Sequence, residues 1–145
     1  MTELHVCRLA RPFSFVTPVA GREFAAWVMA LDPSNTAAER DGVSKSLVDS
    51  GCRYAVCSGH ESSKWDDSID RAFLETDPDL NPPDERFVMT SFHEDESLND
   101  VAEFFVRLTS FDGFKPAAFV LVALGNGSAI DETRARVAEL LEMQR

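Results

Sequence analysis

The 145-residue sequence has little cysteine and no long apolar run. Its three cysteines, Cys7, Cys52 and Cys57, form no CxxC pair and leave one unpaired in any bridging scheme, which is typical of a reducing compartment. The longest apolar runs have about eight residues, too few to cross a bilayer. The first residues, Met-Thr-Glu-Leu-His, lack the basic and then apolar order of a signal peptide. These absences predict a cytoplasmic protein that does not span a membrane.

Positive charge is also scarce, because 14 Lys and Arg stand against 25 Asp and Glu, for a formal net charge of −11. Phosphate binding needs clustered Lys and Arg, so this balance excludes broad electrostatic binding to DNA, RNA or an anionic membrane. With 44% apolar and 27% charged residues, the composition is that of an ordinary globular protein. The length suits one domain, and we expect a single domain over residues 1–145.

Short apolar runs alternate along the chain with amphipathic stretches of helical period. Runs without polar alternation are typical of strands that are buried on both faces of a parallel sheet. They are Phe24–Ala30, Tyr54–Cys57, Phe87–Met89 and Ala117–Leu124. Residues 1–22 are expected to form an N-terminal extension or an edge strand, with Phe13–Val16 as the candidate strand or extended arm. The element order predicts an α/β fold: a three-layer α/β/α sandwich with a mostly parallel sheet of four to five strands, flavodoxin-like or Rossmann-like.

The helices between these strands have recognisable starts and apolar faces. Thr36 and Glu39 have the spacing of a capping box at the start of the first helix. Trp65, Ile69 and Phe73 recur at four-residue intervals in the second, which predicts core packing. The third helix has Ser97 as its candidate cap, and its predicted apolar face is Leu98, Val101, Phe105 and Leu108. The fourth helix has Ser128 as its candidate cap, and its predicted apolar face is Ile130, Val137, Leu140 and Leu141.

A repeated tetrapeptide pattern follows two of the predicted strands. Ser-x-His-Glu occurs as Ser58, His60 and Glu61 and again as Ser91, His93 and Glu94, each time expected between a strand and a helix. Ligands of open parallel sheets bind at the carboxyl ends of the strands, and the spacing of neighbouring strands lets the side chains of both turns converge on one pocket. Whether the two turns form one site stays open at this point.

Three interpretations of this doublet stay open. His60, Glu61, His93 and Glu94, with Asp32 or Asp66 nearby, have the ligand types of a zinc, manganese or iron site. Neither copy is HExxH, because Lys64 and Ser97 stand where the second His belongs. The same groups suit acid–base work in a hydrolase. Alternatively, they are polar loop tips whose Ser and Glu side chains cap the next helices.

Standard catalytic and phosphate-binding motifs are absent. Ser58 lacks the flanking glycines of Gly-x-Ser-x-Gly, because Val56 and His60 occupy those positions. Gly125-Asn-Gly127 matches only the first half of GxGxxG. No cofactor is therefore predicted, apart from a possible divalent metal.

Acidic residues are concentrated at predicted helix starts, at Asp66–Asp67 and Glu94–Glu96, and in the proline-rich loop Asp77–Glu85. We expect these acids to form one acidic edge of the sheet, on the side where the His-Glu turns emerge. Such an edge is either a solvated surface or a patch that steers a basic partner. Trp65 beside it is either a core residue or an aromatic anchor for that partner.

Two segments resemble a known family. Lys64-Trp-Asp-Asp67 and Ser91-Phe-His-Glu94 are similar to segments of a family of small, uncharacterised bacterial α/β proteins. The resemblance implies a bacterial origin and assigns no catalytic residue.

Two functional hypotheses follow. The first is an acidic, non-enzymatic binding protein that docks a basic protein partner, as an inhibitor, an immunity protein or a regulator does. Its candidate binding residues are Asp32, Ser58, His60, Glu61, Trp65, Asp66, Asp67, His93, Glu94 and Glu96. The second is a small metal-assisted hydrolase or ligand sensor, whose pocket is formed by Asp32, His60, Glu61, His93 and Glu94.

Overall fold

A five-stranded, all-parallel sheet lies at the centre of the protein, in a computed structural model that describes residues 2–144. The ends of the predicted domain, residues 1 and 145, lie outside the described part. The strands are β1 (Glu3–Leu9), β2 (Phe24–Ala30), β3 (Cys52–Gly59), β4 (Met89–His93) and β5 (Ala118–Leu124). The helices are α1 (Ala37–Asp49), α2 (Ser62–Leu74), α3 (Leu98–Arg107) and α4 (Ala129–Met143), with a short 3-10 helix at Asp84–Arg86.

The helices cover both faces of the sheet, which confirms the predicted three-layer α/β/α architecture. The strand order is β1-β5-β2-β3-β4. Helices α1 and α2 pack together on one face, and α3 and α4 pack together on the other. Every residue of β2 and of β5 is buried, as their continuous apolar sequences predict.

The two edge strands differ from the sequence prediction. β1 is Glu3–Leu9, an edge strand within residues 1–22 that pairs in parallel with β5. Phe13–Val16, the candidate strand or extended arm, forms no strand. Phe13 and Phe15 instead pack into the core on the α1/α2 face. The third predicted strand, Phe87–Met89, is displaced because β4 begins only at Met89. An edge strand has one unpaired side and fewer buried residues, so it lacks the apolar run that marks a central strand.

Helix starts and buried faces largely agree with the sequence. The Thr36 hydroxyl accepts from the Glu39 amide at 3.1 Å, and the Glu39 carboxylate accepts from the Thr36 amide at 2.8 Å, so the capping box is confirmed. Trp65, Ile69 and Phe73 are buried, as predicted.

The predicted caps of α3 and α4 and the predicted apolar face of α3 agree only in part with the structure. Ser97 caps α3 by accepting from the Asp100 amide at 3.1 Å. Ser128 is the N-cap residue of α4, but its side chain makes no capping hydrogen bond. Leu108 does not belong to the apolar face of α3, because that helix ends at Arg107 and 60% of the Leu108 surface is exposed.

The acidic residues do not gather at one edge of the sheet. Helix α2 starts at the carboxyl end of β3 and returns the chain to the amino end of β4, as every crossover between parallel strands does. The loop Asp77–Glu85 therefore lies at the amino edge, opposite Glu94–Glu96. The expected single acidic edge is corrected to two separate acidic regions.

Within residues 2–144, no helix combines the length and the apolar composition needed to cross a membrane.

Candidate binding site

A cavity of about 540 Å³ opens at the carboxyl ends of β2, β3 and β4, on the α3/α4 face of the sheet. We call it the carboxyl-edge cavity. β2 and β5 are neighbours in the sheet, but β2 leads into α1 on one face and β5 leads into α4 on the other. In open α/β sheets, ligands usually bind in the crevice outside the carboxyl ends of two such strands. The cavity is lined by Trp27, Met29, Leu31, Ser58, Gly59, His60, Glu61, His93, Glu94, Asp95, Glu96, Leu98, Val101, Ala129 and Thr133.

The wall on the sheet side is a row of three residues in register. Met29 pairs with Ser58, and Ser58 pairs with His93, so their side chains point to the same face. The indole N–H of Trp27 donates to the Ser58 hydroxyl at 2.8 Å, which fixes the position of that hydroxyl.

His93 is a packed residue with both ring nitrogens in hydrogen bonds. Its Nδ1 lies 2.9 Å from a Glu96 carboxylate oxygen, and its Nε2 lies 2.9 Å from the Ser91 hydroxyl. Because a carboxylate only accepts, Nδ1 donates to Glu96, and the Ser91 hydroxyl occupies the second ring nitrogen, Nε2. Phe104 packs edge-on against the imidazole, with 4.7 Å between ring centroids. His93 therefore shapes the wall of the cavity.

The turn after β3 holds His60 and Glu61 at the mouth of the cavity. Gly59 has φ of +90°, and a Cβ there would lie 2.4 Å from the Ala30 carbonyl oxygen, so only glycine fits. The next amide, that of His60, donates to the same carbonyl at 2.8 Å. Glu61 has φ of +54° and is ion-paired with Lys64 at 3.0 Å, and the pKa of its carboxyl is lowered chiefly by the hydrogen bond from that lysine.

The charged groups of the cavity are acidic. Within residues 2–144, the lining contains four carboxylates and neither Lys nor Arg. Glu94 and Asp95 are exposed and, among the described residues, their carboxylates have no hydrogen-bond or ion-pair partner. Glu94 and Glu96 are among the candidate binding residues predicted from the sequence, whereas Asp95 was predicted only as part of the acidic run Glu94–Glu96.

Thr133 contributes the most unusual polar atom of the lining. Its side chain is fully buried, and its Oγ1 has no hydrogen-bond partner within the described residues. Sequence reasoning missed this residue. The available signal was its position on the buried face of α4, between Ile130 and Val137, where an aliphatic residue is expected.

The Ser-x-His-Glu doublet is a repeat in sequence but not in space. Ser58 aligns with His93 across the strands, whereas Ser91 aligns with Val56. The two copies are therefore offset by two residues, and Ser58, Ser91 and His93 lie within strands instead of directly after them. Side chains of both copies nevertheless line one cavity, namely Ser58, His60, Glu61, His93, Glu94 and also Glu96.

The other four candidate binding residues do not line this cavity. Trp65 is fully buried in the α1/α2-face core, so it is a core residue and cannot anchor a partner. Asp32 accepts hydrogen bonds from the Ser34 amide and hydroxyl in the turn after β2, and these bonds lower the pKa of its carboxyl. Asp66 and Asp67 lie on α2, on the opposite face of the sheet.

Asp66 is almost fully buried beside another carboxylate. Thr90 donates to the carboxylates of Asp66 at 3.1 Å and Asp70 at 2.7 Å. Burial, and next the charge of Asp70, raise the pKa of Asp66 to about 6.

The four predicted metal ligands do not cluster as a metal site requires. Among residues 2–144, the one group of three or more such side chains with ligand atoms within 4.8 Å of one another is Asp66, Asp67 and Asp70. His60, Glu61, His93 and Glu94 are not a group of this kind, and both nitrogens of His93 already have partners. A metal at this cavity would need side-chain rearrangement.

The thiols are chemically quiet. Cys7, Cys52 and Cys57 are free, and the last two are buried. Burial raises the pKa of the Cys52 thiol to about 12 and that of Cys57 well above its ordinary value. Neither buried thiol is therefore activated as a nucleophile.

A second and larger cavity, of about 840 Å³, lies at the amino edge between α1 and α2. We call it the amino-edge cavity. Its charged lining is balanced, with the acids Glu23, Asp41, Asp49 and Glu75 and the bases Lys45, Arg53, Arg71 and Arg86. It therefore has no preference for ligands of one charge, in contrast to the carboxyl-edge cavity.

These features define a three-layer α/β protein with one acidic cavity at the carboxyl ends of its parallel strands. The chain belongs to the family described as domain of unknown function DUF7684, whose model matches residues 4–140. That family membership agrees with the resemblance seen in the sequence and assigns no activity. No curated protein matches the chain.

Proposed function

We propose that this protein is a non-enzymatic binding protein that docks a basic protein partner at the carboxyl edge of its sheet. The observation that carries the proposal is the charge of the carboxyl-edge cavity. Glu61, Glu94, Asp95 and Glu96 line it without a Lys or Arg among the described residues of the lining. Carboxylates arranged in this way attract a basic surface and repel an acidic one.

The availability of these carboxylates also supports docking. Glu61 is neutralised locally by Lys64 and by Arg40, at 3.0 and 3.8 Å. Glu94 and Asp95 project from the turn after β4 with no partner in the described chain. A partner's Lys or Arg can therefore pair with them without breaking an existing ion pair, which favours a net gain on binding.

Differential retention tests this proposal. The wild-type protein and a Glu94→Lys/Asp95→Lys variant are immobilised, and proteins retained from extracts of the source cells at low salt are identified by mass spectrometry. We expect the wild type to retain at least one basic protein that the variant does not retain. The retained protein should be eluted by moderate salt, because exposed charges are screened within about 10 Å at 0.1 M ionic strength.

A matched variant controls for net charge. Asp79→Lys/Glu85→Lys changes the net charge by the same amount, but at the exposed loop of the amino edge. It should retain the same basic protein as the wild type. Equal loss in both variants, or no basic protein that distinguishes them, would contradict docking at the carboxyl edge.

A second candidate function is a metal-assisted hydrolase or ligand sensor at the same cavity. It is favoured by the presence of His60, Glu61, His93 and Glu94 in one lining, but a metal there requires His93 to leave its Ser91 and Glu96 partners. The melting temperature with and without Zn²⁺ or Mn²⁺ tests it, with His60→Ala/His93→Ala as the control. A metal-dependent rise that the double variant abolishes would support this second function over simple docking.

A further inference from the structure

The sheet has an open side at β4. This strand pairs with β3 alone, and no backbone hydrogen bond joins it to any other described segment. In an edge strand, every second amide and carbonyl points away from the sheet, so these groups of β4 can pair with another strand. The open side ends at His93, directly before the acidic turn Glu94–Glu96.

β4 also lacks the features that usually protect an edge strand. Such strands commonly carry charged residues or proline, or they are distorted by a bulge. The other edge strand, β1, contains Glu3 and Arg8, both of which form ion pairs. β4 has the sequence Met-Thr-Ser-Phe-His, with no acid, Lys, Arg or Pro, and its pairing with β3 is regular. The edge of β4 is therefore the better template for an added strand.

Phe92 presents an exposed aromatic ring beside this edge. It aligns with Cys57 of β3, which belongs to the α1/α2-face core, so the ring lies on that face of the sheet. The residue is nevertheless 49% exposed, and among residues 2–144 no other strand residue with a large apolar side chain is exposed. A sixth strand would lie about 4.8 Å from β4 and would cover part of this ring.

The charge on the same face of β4 is negative. Asp66, Asp67 and Asp70 of α2 have carboxylate oxygens within 4.8 Å of one another. The Thr90 hydroxyl lies 3.1 Å from the Asp66 carboxylate and 2.7 Å from that of Asp70, so the three acids lie against β4. The two basic residues of α2 form their ion pairs with acids outside this group. A strand added beside β4 is therefore favoured if it carries Lys or Arg on this face.

We infer that the edge of β4 binds an extended, basic segment of the partner, which joins the sheet as a sixth strand. This inference rests on the proposed function and names the strand and the form in which the partner binds. Backbone hydrogen bonds to β4 give affinity, and alternate side chains of the segment give specificity. A Lys or Arg on the α1/α2 face suits both neighbours, because its aliphatic stem covers Phe92 while its charge faces the carboxylates. A second copy of this chain, with a net charge of −11, is repelled instead.

A short strand-forming peptide provides the direct test. The full chain is titrated with an acetylated and amidated heptapeptide that alternates lysine and valine, and amide hydrogen exchange is followed by nuclear magnetic resonance. We expect exchange of the outward amides within Met89–His93 to slow by about tenfold at about 90% occupancy, because bound amides exchange only when the peptide leaves. Exchange along β1 should not change. No slowing in β4, or equal slowing in β1, would overturn the inference.

Two further peptides separate strand addition from charge attraction. One has N-methyl groups on its three central amides, so it keeps the charge and loses hydrogen-bond donors on both of its edges. The other alternates glutamate and valine, so its charge is inverted. Each should bind about tenfold more weakly or worse. Equal affinity of either peptide would overturn the inference. Slow exchange of the same β4 amides in a dimer without peptide would also overturn it, because a second copy would then occupy the edge.

Variants locate the binding at β4. Phe92→Lys places a positive charge beside the edge and should weaken binding of the lysine peptide by about tenfold or more. Met143→Lys changes the charge equally at an exposed apolar residue of α4, on the opposite face of the sheet, and should leave the affinity unchanged. Asp67→Asn, at an exposed carboxylate, should weaken binding about threefold. Unchanged affinity in Asp67→Asn would count against the edge even if Phe92→Lys does not fold.

The outcomes separate this inference from the proposed function. If a basic protein binds and is lost on Glu94→Lys/Asp95→Lys, while the lysine peptide does not protect β4, docking stands and strand addition is overturned. If the peptide protects β4 but no basic protein is retained, strand addition is supported and docking of a protein is overturned.

Discussion

At the scale of single residues, two glycines have opposite roles. Gly59 ends β3 with φ of +90° directly against the Ala30 carbonyl oxygen, and its turn presents His60 to the carboxyl-edge cavity. Gly42 lies inside α1 with nothing within 4 Å of the position a Cβ would take. The first glycine is required by close backbone approach, whereas the second lowers the stability of its helix.

We predict that Gly59→Ala and Gly42→Ala change stability in opposite directions. Gly59→Ala should reduce the free energy of unfolding by about 2 kcal/mol or more, from backbone strain and the contact with Ala30. Gly42→Ala should raise it by about 1 kcal/mol, the difference in helix propensity. Urea unfolding of both variants measures these changes. A stable Gly59→Ala protein would mean that the turn before His60 is arranged differently.

The buried carboxyl of Asp66 leads to a second prediction, about how the stability of the protein depends on pH. Its pKa is raised to about 6 by burial and by Asp70, so the folded state holds its proton more tightly than the unfolded state. The resulting stability is fully present below the unfolded pKa, near 4, and is lost as the pH rises through about 6.

Asp66→Asn removes this titration and should leave a protein whose stability falls less over that interval. Relative to the wild type, the variant should gain little at pH 4 and about 1 kcal/mol at pH 7, a value discounted for partial solvent screening. Asp79→Asn, at an exposed residue in the loop of the amino edge, is the control and should follow the wild type. Urea unfolding at four pH values measures these differences. If the free energy of unfolding depends on pH in the same way for the wild type and Asp66→Asn, the raised pKa of Asp66 is refuted.

At the scale of elements, the helix starts show which local signals are reliable in the sequence. The Thr36–Glu39 pair was predicted to be a capping box, and the structure confirms both hydrogen bonds. Such a box depends only on residues three apart, so the sequence contains all of it. Ser128 also occupies an N-cap position, but its backbone is helical and its side chain makes no capping bond.

We predict that Thr36→Ala lowers the free energy of unfolding by about 1 kcal/mol, the usual value of a side-chain cap. Ser128→Ala should change it by less than about half of that, because no capping bond is lost. Thermal or urea unfolding measures both. Equal effects of the two substitutions would show that the capping box does not distinguish these helix starts.

The strands show what local sequence does not specify. β2 and β5 were recognised because burial on both faces leaves no polar position in their sequences. The bounds of β1 and β4 were not predicted, although an edge strand was expected within residues 1–22, because edge strands carry polar residues such as Thr90 and Ser91. As a result, Ser91 and His93 were expected in a loop although they lie in β4.

At the scale of the whole molecule, topology decides which predicted site residues meet. The structure brings Ser58, His60, Glu61, His93 and Glu94 to one cavity, because the carboxyl ends of parallel strands share an edge. The sequence pattern allowed this arrangement and left it open. The strand order and the registers were not readable from sequence, so the two-residue offset of the doublet and the contribution of Thr133 were not predicted. These depend on contacts between residues that are distant in the chain.

The same topology determines where the acidic residues behind the net charge of −11 lie on the protein. The acids of Asp77–Glu85 lie at the amino edge, and Glu94–Glu96 lie at the carboxyl edge beside the cavity. Because an acidic copy repels another acidic copy, the carboxyl edge is suited to a basic protein in preference to self-association. The position of the charge, more than its total, carries the proposed function.

The dissociation constant for the basic partner tests docking at the carboxyl edge most directly. It is measured for the wild type, Glu94→Lys/Asp95→Lys and Asp79→Lys/Glu85→Lys, each at low and at physiological salt. We predict a loss of affinity of about a hundredfold or more in the carboxyl-edge variant at low salt, smaller at higher salt, as like charges then face each other. The amino-edge variant should stay within about threefold of the wild type. Equal affinities of the two charge-matched variants would contradict docking at the carboxyl edge.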